Sequence, residues 1–468
     1  MRLTSMSLRS AAVPAIALST AAVLGLSLGA CGTNDSTDGV ADGSFAEEFG
    51  IDLPDTPVGR QMAWFISAVP QAPLSEELLS SRFTEEFLSQ VPVDDINNSL
   101  LDFGRLNPVS IERADEFEMM LIVTAGEERL NLAMSVDENN DISGLTLTPA
   151  GPERPDSPES WDEFDDRLDA LAPDSTFVVA SVDGDGMCVP VREKRGDDVM
   201  PIASVFKLYV LDAVAGAVER GDIEWETTMA VTDELKSWPT GILQDEQAGT
   251  EVSVGESVEL MMALSDNTAT DMLIDLVGAE AVEDSIAASS RNAERNQPLL
   301  TTRDMFILKA VDYPSLADEF VGLDADQRRD FLATTLSETQ LPPLSEAQDW
   351  TTPRHIDSIE WFGSAEDVCA AYVGLSQRDS EMVDRALSQN DGGIGLDREE
   401  FPTVWFKGGS EPGILALSYL VETPEGDRFV ISINTRDERA DITDSRVTTT
   451  DVQEALSLAE GALRLATS

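Results

Sequence analysis

Residues 201–210 read Pro-Ile-Ala-Ser-Val-Phe-Lys-Leu-Tyr-Val, and the fold turns on Ser204-Val-Phe-Lys207 within them. The chain has only five lysines, yet this one follows a serine by three positions in the apolar opening of a helix. On one reading the stretch is a helix with a snorkelling lysine and a serine near its start. On the other it is a serine nucleophile with its own lysine base. One helical turn apart, the two side chains share a face, so hydroxyl and amine can meet. A serine at a helix N-terminus also puts its oxygen near the positive end of the backbone dipoles. To act as a base the lysine must be neutral, which requires its pKa to fall from ~10.4 to roughly 7. Apolar burial and a second ammonium nearby both push it that way.

Two further segments bear on the choice. Met261-Met-Ala-Leu-Ser265-Asp266-Asn267 puts a polar triplet directly after an apolar helix. Ser265 can relay a proton between the lysine and a leaving group, and Asn267 can hold a substrate amide. The same triplet also reads as a helix cap, since Ser, Asp and Asn are the favoured capping residues. Val404-Trp-Phe-Lys407-Gly408-Gly409-Ser410 reads as a strand ending in a lysine and two glycines, with a hydroxyl after them. Glycines let a substrate backbone approach a strand edge, and Lys407 supplies a fixed cation for a carboxylate. Its alternative is a strand running into a glycine turn.

Taken in this order, S-x-x-K, S-D-N and K-G-G resemble the motifs of class A β-lactamases and penicillin-binding proteins. The resemblance covers about residues 157–468. It implies Ser204 as acylated nucleophile, Lys207 as its base, Ser265 as proton shuttle, Asn267 as substrate clamp and Lys407 as carboxylate anchor. The backbone N–H groups of Ser204 and Ser410 would form the oxyanion hole. Gly408 and Gly409 would line the substrate edge, with Trp238 as an aromatic rim residue. No metal or organic cofactor is implied. The layout is similar to two-domain serine hydrolases of clavulanic acid biosynthesis clusters and their actinobacterial lipoprotein relatives. There a small domain resembling nuclear transport factor 2 (NTF2) and steroid isomerases comes first. Two departures matter. Lys-Gly-Gly replaces Lys-Thr-Gly, losing a hydroxyl that Ser410 can supply. No Glu-x-x-x-Asn precedes Thr301-Thr302, because Glu294 stands four residues before a proline. The water-activating glutamate of deacylation therefore lacks a counterpart, and slow acyl-enzyme release is expected.

The rest of the chain fits this frame. Residues 1–30 carry Arg2, Arg9, an Ala/Val/Leu-rich run and Leu28-Gly29-Ala30-Cys31, an order resembling a bacterial lipoprotein signal that lipidates Cys31. That predicts an extracytoplasmic, lipid-anchored protein. Residues 31–55 are a polar tether, and 56–150 form a small α+β domain. In the latter, Val58, Met62, Phe65, Ile66 and Val69 recur at helical spacing and Leu74–Leu88 continues helical. Phe117–Val123, Leu130–Val136 and Ile142–Leu147 read as strands. A proline-rich linker, Pro149–Pro158, follows. Beyond it, strands near Ser175–Val182, Cys188–Val191, Leu415–Val421 and Phe429–Ile433 flank a helical mass, and a helix at Asp451–Ala466 ends the chain. The fold expected is an α/β (α+β) β-lactamase/transpeptidase-like sandwich with its first and last elements adjacent.

Net charge is −57, which disfavours nucleic-acid backbones and anionic lipid headgroups as partners. Cys188 and Cys369 read either as a disulfide or as two buried thiols. A Ser-His-Asp esterase would need His355, the one histidine, and Gly-x-Ser-x-Gly occurs only as Gly25–Gly29 inside the leader. A non-catalytic binder of cell-wall peptide or a small ligand is the rival of another class. The preferred partner is a small β-lactam, peptide or ester substrate.

Overall fold

The computed structural model describes residues 45, 49–126, 128–137, 139–344, 350–440 and 445–467. The leader, Cys31 and most of the tether lie outside them. The chain divides into two compact units, Met1–Gly151 and Pro152–Ser468.

In the first unit, helix α1 (Pro57–Ala68) starts with proline at its first position, and the Thr56 hydroxyl accepts from Gly59 N. Both features satisfy a helix start that has no upstream carbonyl partners. Its Val58, Met62, Phe65 and Ile66 are fully buried. They belong to one core with Leu121, Val123 and Leu132 of an antiparallel meander. The meander runs β1 (Asn107–Ala114), β2 (Glu118–Ala125), β3 (Glu128–Val136) and β4 (Ile142–Pro149). In β3 every second residue, Leu130 to Val136, is buried, as one-sided packing of a pleated strand requires.

Two local expectations are corrected here. Leu74–Leu88 is not one helical stretch but two short helices, Glu76–Ser80 and Glu85–Gln90. Ser75 and Thr84 each cap a new start, and Phe83 bridges Ile142 in extended form between them. Strand β1 was not expected. Its Pro108, Glu112 and Arg113 disguise an edge strand whose register shifts twice against β2.

The second unit is built on a five-stranded antiparallel sheet. Its strands are β5 (Asp174–Val182), β6 (Cys188–Lys194), β7 (Thr403–Glu411), β8 (Ile414–Glu422) and β9 (Arg428–Arg436), in the order β7-β8-β9-β5-β6. The first strand of the unit thus pairs with the last, as the terminal adjacency predicted. Both faces are covered, so the central strands β8, β9 and β5 are buried at consecutive positions rather than alternating. Phe177, Val179, Tyr419 and Ile431 pack under the first and last helices of the unit, through Phe164, Leu168, Leu456 and Leu463. Val178, Ala180, Leu420 and Val430 face the central helical mass, with Phe206, Leu208 and Val214. Cys188 and Cys369 form a disulfide, with Cα atoms 6.4 Å apart, tying β6 to a helix of that mass.

Candidate active site

Ser204 sits in a 3-10 turn, Ala203–Phe206, that runs directly into helix α2 (Lys207–Glu219). The turn is braced from behind. Ile202 N donates to Trp361 O, and Phe206 stacks face to face on Trp361 at 3.9 Å between ring centres. Ala203 has φ +43° and Ser265 has φ +55°, a region costly for any residue with a Cβ. Strain of this kind, on the order of 1–3 kcal/mol each, persists where surrounding packing dictates the geometry.

Lys207 and Lys407 are both buried, at 0% and 2% exposure. Lys207 Nζ lies 2.7 Å from Ser265 O, 3.0 Å from Ser265 Oγ and 2.6 Å from Asn267 Oδ1. Lys407 Nζ lies 3.1 Å from the same Ser265 Oγ and 2.6 Å from Gly408 O. One hydroxyl therefore bridges two buried amines, and among the described residues neither makes a direct ion pair with a carboxylate. Burial, and then the Lys407 charge, hold Lys207 well below the usual lysine range. Burial alone lowers Lys407 to about 7. The Ser204 hydroxyl makes no hydrogen bond among the described residues, so the expected direct bond from Ser204 to Lys207 is not formed.

The capping reading of the triplet also holds, and for Asp266. Its Oδ1 accepts from Ala269 N at the start of helix α3 (Asn267–Val277). Its Oδ2 accepts from Ile242 N and Leu243 N. Asn267 Nδ2 donates to Trp238 O, so the triplet fastens the loop that carries Trp238. Gly241 in that loop has φ +109°, and a Cβ there would fall 2.1 Å from Asp266 Cγ, which leaves only glycine. Gly409 is equally constrained. A Cβ on it would stand 2.5 Å from Ser204 N, so β7 lies hard against the nucleophile turn.

A cavity of about 260 Å³ opens over Ser204, and Trp238, Asn267 and Ser410 of the expected set line it. Lys207, Ser265 and Lys407 stand behind that surface, linked to it through Asn267. Trp238 is 8% exposed, donates to Pro342 O, and packs on Phe306 at 4.7 Å. Leu344, Trp350, Glu360 and Trp361 bring the long segment after Thr301-Thr302 into the wall. Glu294 is exposed in a 3-10 turn and does not line the cavity, while Asn296 is spent on the Phe362 backbone. His355 bonds Tyr313 and Asp318 and is likewise absent from the lining.

Sequence reasoning missed one group. Lys309, on helix α4 (Thr302–Ala310), lies 2.6 Å from Glu411 Oε1 and 3.5 Å from Glu360 Oε1. All three side chains are nearly or fully buried, and both glutamates line the cavity. Burial pushes Glu411 up to about 8; Lys309 opposes this and Glu360 adds to it. The available signal was a lysine in another apolar run, Met305-Phe-Ile-Leu-Lys309.

Residues 191–456 match a family model described as beta-lactamase enzyme family, and residues 53–142 one described as ORF 12 gene product N-terminal. No curated protein matches the chain. Among solved structures, a beta-lactamase from Sphaerobacter thermophilus DSM 20745 shares 19% identity, with 66% of this chain and 97% of its own covered, at a TM-score of 0.46. A beta-lactamase from Chitinophaga pinensis DSM 2588 shares 14%, covering 65% and 98%, at 0.43. A structure of PBP-A shares 17%, covering 67% and 99%, at 0.42.

Proposed function

Because the chain belongs to the beta-lactamase enzyme family, we propose that it is a serine hydrolase whose Ser204 is acylated by β-lactams or related amides and esters. The observation that carries this reading is the single hydroxyl, Ser265 Oγ, held 3.0 Å from Lys207 Nζ and 3.1 Å from Lys407 Nζ. Burying two lysines beside each other without a direct carboxylate partner is costly, since desolvation and like charge act together. Simple ligand binding has no use for such a pair. A neutral amine, in contrast, has two N–H groups and one lone pair. With Ser265 O and Asn267 Oδ1 taking the two N–H groups, the lone pair of the neutral amine faces the Ser265 hydroxyl, 3.0 Å away, on the route a proton takes to or from the base.

In the step proposed, Lys207 takes the Ser204 proton as Oγ attacks the substrate carbonyl carbon. The Ser204 and Ser410 N–H groups receive the developing oxyanion. The C–N or C–O bond then breaks, and Ser265 passes a proton from Lys207 to the leaving atom. Lys407, behind the cavity wall, supplies the cation that draws the substrate carboxylate, and Ser410, which lines the cavity, supplies the hydroxyl that Gly408 lacks. Glu294 does not line the cavity over Ser204 and so does not activate a hydrolytic water there, which makes release slow relative to capture.

The test is intact-mass spectrometry followed over time with a panel of β-lactams. A mass gain equal to the β-lactam, absent in Ser204→Ala and decaying slowly, is the expected result. No capture, and no turnover of acetyl esters, would overturn the reading in favour of a non-catalytic binder. The protein is also proposed to reside outside the cytoplasm on a Cys31 acyl anchor. The Cys188–Cys369 disulfide supports an oxidising compartment. Cys31→Ala should move the protein from the membrane to the soluble fraction, and unchanged partitioning refutes the anchor.

A further inference from the structure

The Glu360–Lys309–Glu411 group is not used by the chemistry above, yet it belongs to the same cavity. Alternate residues of a strand share a face, so Lys407, Gly409 and Glu411 of β7 point the same way. On that face Lys407 reaches Ser265, Gly409 abuts Ser204 N, and Glu411 reaches Lys309. The nucleophile turn is thus flanked by a cation on one side and a carboxyl on the other, each ~7 Å along the strand from Gly409.

The carboxyl end is incomplete. The Glu411 side chain is 7% exposed; its Oε1 accepts from Lys309, its buried Oε2 has no donor among the described residues, and its other side-chain neighbour is the acid Glu360. Two carboxylates against one ammonium leave the ionised group one positive charge short. A proton can supply that charge: burial first, and then the Glu360 charge, push Glu411 up to about 8, against the pull of Lys309. Trp238, Phe306 and Trp350 line the same space, and aromatic faces attract cations.

We propose that Glu411 and Glu360 form an ammonium subsite, so that the preferred substrates of Ser204 carry a protonated amine on the side of the scissile bond away from Lys407. The inference rests on the reading of Ser204 as the acylated nucleophile. An entering ammonium donates to the Glu411 carboxylate and takes the place of the proton, which leaves to solvent. The substrate class is then zwitterionic, with a carboxylate at Lys407 and an amine at Glu411.

Ampicillin and benzylpenicillin differ only by an amino group on the acyl side chain, which makes them the probes. Acylation rates are read by intact mass and divided by each compound's rate of alkaline hydrolysis. Ampicillin should acylate about tenfold faster or more, the scale of a charged hydrogen bond. Glu411→Gln, which keeps an oxygen for Lys309, should abolish that advantage. Equal normalised rates in the unmutated protein overturn the subsite and leave the Ser204 reading standing. Capture of neither compound overturns both. An advantage retained in Glu411→Gln removes the amine from Glu411. If that variant does not fold, the ratio in the unmutated protein decides alone.

Discussion

At the scale of single residues, the site works by placing amines where they cannot keep their protons. Lys407 has two consequences that one substitution separates. It gives a substrate carboxylate its cation, and its charge helps hold Lys207 neutral. Lys407→Ala should therefore lower kcat/KM for a carboxylate-bearing β-lactam by about 10- to 100-fold. It should also move the acid limb of acylation to higher pH, because Lys207 regains affinity for its proton. In the intact protein Lys407 loses its charge as pH rises through about 7. KM for such a β-lactam should then climb above pH 7, while KM for an uncharged acetyl ester stays flat. Parallel pH profiles for the two substrates would contradict the anchoring role. The lysine motifs were legible because each spans a few consecutive residues, Ser204–Lys207, Ser265–Asn267 and Lys407–Ser410. The Glu360–Lys309–Glu411 group was not, since its members stand 51 and 102 residues from Lys309 and meet only through the fold.

At the scale of elements, Asp266 links a helix start to a loop of the cavity wall. Its carboxylate takes the Ala269 N–H as a helix cap and the Ile242 and Leu243 N–H groups as a loop clasp. Asp266→Ala removes the cap and leaves buried donors unpaired, each effect about 1–2 kcal/mol. A loss of about 3 kcal/mol in urea unfolding is expected, with unchanged or lower acylation as the Trp238 loop loosens. Asp266→Asn keeps an oxygen for the cap and should restore part of that stability. A loss below about 0.5 kcal/mol in Asp266→Ala, the range of an ordinary surface change, would show that the clasp carries no weight. Element reading from sequence succeeded where periodicity was uninterrupted, as in Leu130–Val136 and the buried strands of the large sheet. It failed at Leu74–Leu88, where two new caps and a bridge to Ile142 cut one apolar run into pieces. It failed again at Asn107–Ala114, an edge strand whose polar residues and register shifts erase the alternation.

At the scale of the whole molecule, the balance of charge opposes the fold. Eighty-eight acids face thirty-one Lys and Arg, so most carboxylates cannot have a cation of their own. Three of the five lysines are used in or behind the cavity rather than on the surface, which sharpens the deficit outside. Compact folding brings these acids closer than the unfolded chain holds them, and the repulsion is a standing cost. Screening should relieve it, since the Debye length falls from about 10 Å at 0.1 M salt to about 3 Å at 1 M. Thermal unfolding in sodium chloride from 0.05 M to 1 M, values roughly bracketing that range, should therefore show Tm rising by several degrees. The same series at pH 4.5, where many carboxylates take up protons, should show a smaller rise. Equal slopes at the two pH values would mean that salt acts by preferential exclusion from the surface and not by screening. A flat Tm at neutral pH would mean that the acids lie too far apart to repel one another in the folded chain.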